Sequence, residues 1–129
     1  MKYRYLIMLC CISSLMSCTS DNNSTQEEDA QSLQEQYATL KAYGQTTTCT
    51  NAADWLYTPV GTKACGGPTS YLAFHMDIDT TVFFAMVDAY TEAEKDYNEK
   101  WGISSDCSIT QEPTGIDCEN DLPILLYEY

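Results

Sequence analysis

Hydrophobic and polar residues alternate along this chain with three different periods, and each period predicts a different kind of element. Residues 5–16 form an apolar run broken only by Ser13 and Ser14, and residues 19–29 contain no aromatic or branched aliphatic side chain. From Thr25 the sequence Thr25-Gln26-Glu27-Glu28 has capping-box spacing, and Leu33, Tyr37 and Leu40 then recur at helical intervals, with Gly44 as a stop. The apolar stripe of this helix is narrow, so it is expected to pack loosely on the domain or to form only in part. Trp55 to Val60 and Tyr71 to Met76 read as strands, the second with Leu72, Phe74 and Met76 on one face. Between them Gly66-Gly67-Pro68 supplies turn chemistry, since glycine tolerates positive φ and proline fixes its own. Asp79 caps the longest helical pattern, in which Phe83, Met86, Val87, Tyr90, Tyr97 and Trp101 share a face and Gly102 closes the end. Two or three strands follow: Ile103 to Ile109 if there are three, then Ile116–Glu119 turned by Asn120-Asp121 onto Ile124–Tyr127, with Pro123 suited to an edge. This order predicts an α+β fold, a small antiparallel sheet with one long helix packed across one face.

The first apolar run changes the picture of where the chain resides. Lys2 and Arg4 precede it, and it is too short to span a bilayer as a helix, so residues 1–17 read as an export leader. Leu15-Met16-Ser17-Cys18 resembles the bacterial lipobox, although Met16 is bulkier than is usual there. That resemblance implies a diacylglycerol on the Cys18 sulfur, cleavage before Cys18 and acylation of the freed amine. A plain secretory signal cut elsewhere is the competing reading, and it exports the chain as well. Residues 18–29 then form an acidic tether, residues 30–44 the body of the first helix and residues 45–129 the main domain. Asp21 and Glu27-Glu28-Asp29 also resemble the surface-export signals of Bacteroidota lipoproteins, against the simpler reading of a solvated linker. The expected location is the outer membrane, lipid-anchored, on the periplasmic or the cell-surface side.

Export makes the cysteines informative. Of seven, Cys10 and Cys11 leave with the leader and Cys18 takes the lipid, which leaves Cys49, Cys65, Cys107 and Cys118. An even set in a short exported chain predicts two disulfides, with three connectivities open. Crosslinks suit a domain of about eighty residues, near the size at which one core gives marginal stability. The net charge is −13, and loss of Lys2 and Arg4 makes it −15. Such a charge excludes a nucleic-acid partner and repels anionic membrane surfaces, so membrane contact must come through acyl chains.

The segments GTKACGGPTSYLAF, YTEAEKDYNEKWGISSDC and PTGIDC together resemble a family of small exported proteins, mostly lipoproteins of Flavobacteria and relatives, with a KACGGP, SDC and P-x-x-x-C pattern. The likeness runs from Cys49 to about Tyr127. It implies a fold and a location but no activity, and it implies the pairing Cys65–Cys107 and, with it, Cys49–Cys118.

Candidate chemistry is sparse. A nucleophilic Cys65 would need a base and a nearby cation, and His75 is the only histidine in an acidic chain. Ala64-Cys65-Gly66-Gly67 lacks the frame of a phosphate loop, and cysteine gaps of 16, 42 and 11 residues do not suit zinc. Asp77 with Asp79, and Asp117 with Glu119 and Asp121, could offer oxygen to calcium, but Val82 occupies the position where a calcium loop needs glycine. Helix capping and solvated turns explain these acids more simply. Ser104-Ser105 has no nucleophile-elbow context. The expectation is therefore no catalytic residue, no metal and no cofactor. Two binding ideas remain. Tyr71, Tyr90, Tyr97, Trp55 and Trp101 could form a platform for a glycan or protein partner, or they could simply be core. Lys63, two residues from Cys65, could be the presented basic residue of a protease inhibitor.

Overall fold

The computed structural model describes residues 24–128, so the leader, Cys18 and the tether up to residue 23 lie outside the described residues. α1 spans Gln26–Gly44, a 3₁₀ turn spans Ala52–Asp54, β1 spans Trp55–Val60, β2 spans Ser70–His75, α2 spans Thr80–Trp101, β3 spans Gly115–Glu119 and β4 spans Leu122–Leu126. The fold is α+β, and both disulfides are formed as Cys49–Cys118 and Cys65–Cys107, with Cα separations of 5.4 and 5.7 Å.

The predicted capping box is complete. The Glu28 amide donates to the Thr25 hydroxyl at 3.2 Å, and Glu28 Oε2 accepts from the Thr25 amide at 2.8 Å. The Thr25 amide first, and the Thr25 hydroxyl, which donates to the same oxygen at 3.0 Å, hold the Glu28 carboxyl below its usual range. α1 therefore starts at Gln26, and residues 26–29, assigned above to the tether, are helical. Nor is the helix loosely attached. Leu40 is 1% exposed and joins the main core with Val60, Leu72, Phe74, Phe83 and Val87. The stripe is narrow because α1 rests mainly on α2 and the end of β2, not on a broad sheet. Gly44 ends the helix for a different reason from the one expected. It has no positive φ, and a side chain there would strike the Phe83 ring and the Phe74 Cβ at 2.9 and 3.2 Å.

α2 follows its sequence signals closely. The Asp79 carboxylate accepts from the Thr81 and Val82 amides at 3.0 and 3.2 Å, and Gly102 closes the helix in the left-handed region at φ 59°. Asp29 bonds Lys100 at one end of the helix pair and Gly44 meets Phe83 at the other, so α1 and α2 run antiparallel.

The expected single sheet is instead two hairpins, β1–β2 and β3–β4. The physical reason lies in β2, where Tyr71, Leu72, Ala73 and Phe74 are apolar on both faces. Register puts Leu56, Val60, Leu72 and Phe74 on one side of β1–β2 and Trp55, Tyr57, Tyr71, Ala73 and His75 on the other. The helices cover Val60, Leu72 and Phe74 on the first side and leave Leu56 at its edge half exposed. The second needs its own cover, and β3–β4 provides it: Ile116, Cys118 and Leu125 pack on Cys49, Trp55 and Ala73. All four strands are edges, which accommodates Pro59 and Pro123. Asn120 and Asp121 take φ of 50° and 64°, the paired positive values of a tight two-residue turn. Residues 103–109 form no strand; Ile109 is 96% exposed, and the segment is held by the Cys65–Cys107 bond and by Lys63. Among the described residues no helix is long and apolar enough to cross a membrane.

Candidate functional site

Three α2 side chains at helical spacing, Thr91, Glu94 and Asn98, form a polar seam that holds the loop leaving β1. The Thr91 hydroxyl accepts from the Gly61 amide at 3.2 Å. Glu94 Oε2 accepts from the Thr62 amide at 2.6 Å and the Thr69 hydroxyl at 2.7 Å, and the Asn98 amide donates to the Thr62 carbonyl at 2.9 Å. Gly61, at φ 75°, lies where any side chain would collide with Glu94. Beyond it Gly66 and Gly67, at φ 93° and 81°, turn the chain so that Cys65 faces Cys107. The Cys65 sulfur is thus a staple and carries no free thiol.

Lys63 does not extend from this loop. Its ammonium donates to the Ser108 carbonyl at 2.8 Å and lies 3.8 Å from Asp106 Oδ1, leaving the side chain 18% exposed. Asp106 is held below the ordinary carboxylate range, chiefly by the Ser108 amide. The ammonium is spent on closing the loop over the segment that follows α2.

Beside the seam, the α1–α2 junction opens a shallow groove. One part, of about 410 Å³, is lined by Leu33, Tyr37, Tyr90, Glu94 and Tyr97 among others. The other, of about 440 Å³, shares Leu33, Glu94 and Tyr97 and continues past Asn98 to Lys63 and Ser105. The Tyr37 and Tyr90 rings lie 5.5 Å apart at 54°. The Tyr90 hydroxyl donates to Glu94 Oε1 at 3.4 Å, and burial together with the Glu94 charge pushes its pKa up to about 12, so the proton stays on the phenol. The Tyr97 hydroxyl accepts from Gln26 at 3.4 Å. Aromatic faces next to a carboxylate and a side-chain amide can stack a flat apolar surface while bonding hydroxyls at its rim.

Of the sequence candidates, Tyr90, Tyr97, Lys63 and the Ser104-Ser105 pair line this groove; Trp55, Tyr71 and Trp101 do not. Trp55 is buried edge-on against His75, with centroids 5.2 Å apart. Tyr71 packs against Tyr57 on the far face of β1–β2, and Trp101 donates its indole N–H to Asp29 at 2.9 Å. Sequence reading missed Tyr37, Glu94 and Asn98. Tyr37 reads as part of the apolar stripe of α1, and Glu94 and Asn98 read as ordinary members of an acidic helix; their spacing from Thr91 is the signal the sequence offers.

His75 accepts from the Asp77 amide on Nδ1 at 3.2 Å, and Asp117 accepts from the Cys118 amide at 2.8 Å. Ser105 accepts from the Cys107 amide at 3.3 Å, a loop-forming bond. Among the described residues no three His, Cys, Asp or Glu side chains converge as metal ligands. No protein-family model, no curated protein and no solved structure matches this chain.

Proposed function

We propose that this chain is an exported lipoprotein, anchored to the outer membrane through Cys18, whose domain binds an uncharged glycan in the groove between α1 and α2. The anchor rests on the leader and the Leu15-Met16-Ser17-Cys18 sequence, and on the likeness to small exported lipoproteins of Flavobacteria. Pairing of the four remaining cysteines suits an oxidising compartment. The single observation that carries the ligand is the convergence of Tyr37, Tyr90 and Tyr97 with Glu94 on one groove. Sugar rings present C–H faces to aromatic side chains and hydroxyls to carboxylate and amide groups. A chain of net charge −13 disfavours uronic or sulfated sugars.

The reading is of binding, not catalysis: the Glu94 carboxylate is already engaged by three donors, and Asp106, the acid at the other end of the groove, is bonded by Ser108 and lies 3.8 Å from the Lys63 ammonium. The inhibitor idea required Lys63 to be extended and available, and its ammonium is occupied by Ser108 and Asp106. A glycan array probed with the purified protein tests the proposal. Neutral glycans should bind and Tyr37→Ala with Tyr97→Ala should abolish the signal. Binding confined to anionic glycans, or untouched by both substitutions, would overturn it.

A further inference from the structure

The β3–β4 hairpin has two faces, and only one of them is used by the fold. Ile116, Cys118 and Leu125 turn inward onto Cys49, Trp55 and Ala73. Alternation then turns Leu122, Ile124 and Leu126 to the other face, where Leu122 and Leu126 are 59% and 41% exposed and Ile124 between them is half-buried. The register sets this apolar row beside Glu119, Asp117 and Gly115 respectively, so two of the three side chains stand opposite a carboxylate on the same face, about 5 Å across the ladder. Residues 115–128 hold four carboxylates, Asp117, Glu119, Asp121 and Glu128, and no lysine or arginine.

We infer that the outer face of β3–β4 docks a cationic amphipathic polypeptide segment, whose apolar side covers Leu122, Ile124 and Leu126 while its lysines or arginines meet Asp117 and Glu119. This is a second surface, separate from the glycan groove: the groove lies on the helical layer and the hairpin lies on the opposite side of β1–β2. Two exposed leucines flanking a half-buried isoleucine on an edge hairpin mark an interaction surface, and charge sorts the possible occupants. A second copy would bring its own four carboxylates against these four, and an anionic lipid surface would be repelled in the same way. A cationic segment gains both from apolar burial and from neutralising two exposed carboxylates, Asp117 and Glu119, that face no cation within the hairpin.

The purified full-length protein is titrated with a synthetic decapeptide of alternating leucine and lysine and with its leucine–glutamate counterpart. The lysine peptide should bind, and the glutamate peptide should not. Leu122→Ser with Leu126→Ser should weaken binding by about tenfold or more, as expected when two central apolar anchors are truncated. Asp117→Asn with Glu119→Gln should weaken it as well and flatten its salt dependence. Near-ultraviolet circular dichroism matching the parent shows that each variant keeps its fold. Binding that both pairs of substitutions leave unchanged would reflect net charge alone and overturn the inference. So would equal binding of the two peptides, or a dimer in sedimentation velocity that the leucine substitutions dissolve.

Discussion

Replacing Cys49 and Cys118 together by alanine should destabilise the domain more than replacing Cys65 and Cys107, even though chain entropy alone separates the two pairs little. The bonds are nested, with a separation of 42 residues inside one of 69. While the inner bond is intact, the outer one closes only the stretches from Cys49 to Cys65 and from Cys107 to Cys118. That is a loop of roughly 27 residues, for which the chain-entropy relation gives about 3.6 kcal/mol. While the outer bond is intact, the inner one joins two parallel paths that together behave as a loop of roughly 16 residues, and the relation gives about 3 kcal/mol. Packing then sets the order. Cys49 is 3% exposed within the second core, whereas Cys65 and Cys107 are exposed. Truncating a buried side chain there adds a cavity cost on the order of 1 kcal/mol. The Cys49→Ala/Cys118→Ala protein should therefore lose about 4 to 5 kcal/mol and the Cys65→Ala/Cys107→Ala protein about 3 kcal/mol. Urea unfolding followed by far-ultraviolet circular dichroism measures both on one scale. Equal losses, or a larger loss for the exposed pair, would refute the view that β3–β4 is clamped over a buried second core.

Gly44→Ala gains helix propensity but forces a methyl group against Phe83 and Phe74, so the net change should be a loss of about 1 to 2 kcal/mol by urea unfolding. Asp29 titrates near pH 2 in the folded protein, held down by the Lys100 ammonium first and by Ser24 and Trp101 after it. A folded pKa below the unfolded one stabilises above the unfolded value and is lost as pH falls through the folded value. The gap in Tm between the parent and Asp29→Asn should accordingly be full at pH 5 and close between about pH 4 and pH 2. Glu94→Gln removes the charge that draws in Thr62 and Thr69, and a cost of about 1 to 3 kcal/mol is expected. Hydrogen exchange should localise the loosening to the Thr62 amide.

Much of this fold could be read from local signals. The Thr25 capping box, the Asp79 cap, the Gly102 stop and the Asn120-Asp121 turn act over four or five residues, and each appears where the pattern put it. Two hairpins in place of one sheet could not be read in the same way. Sheet membership depends on which face of β2 each distant element covers, and alternation cannot say whether a doubly apolar strand is flanked within its sheet or covered above and below. The segment 103–109 reads as a strand for a related reason, since the isoleucines at its two ends suit one, yet no ladder partner is there to pair with it. At the site, Lys63, Tyr90 and Tyr97 were legible as unusual residues. Their meeting point was not, because Glu94 and Asn98 act through the backbone of a loop about thirty residues upstream.

Mass spectrometry of the N-terminal peptide, taken from native protein purified out of its membrane, reaches the central proposal most directly. A first residue Cys18 bearing a thioether-linked diacylglycerol, with the other four cysteines oxidised in pairs, is the predicted result. A mature chain that begins elsewhere, or a Cys18 free of fatty acid, would contradict the anchored, exported reading.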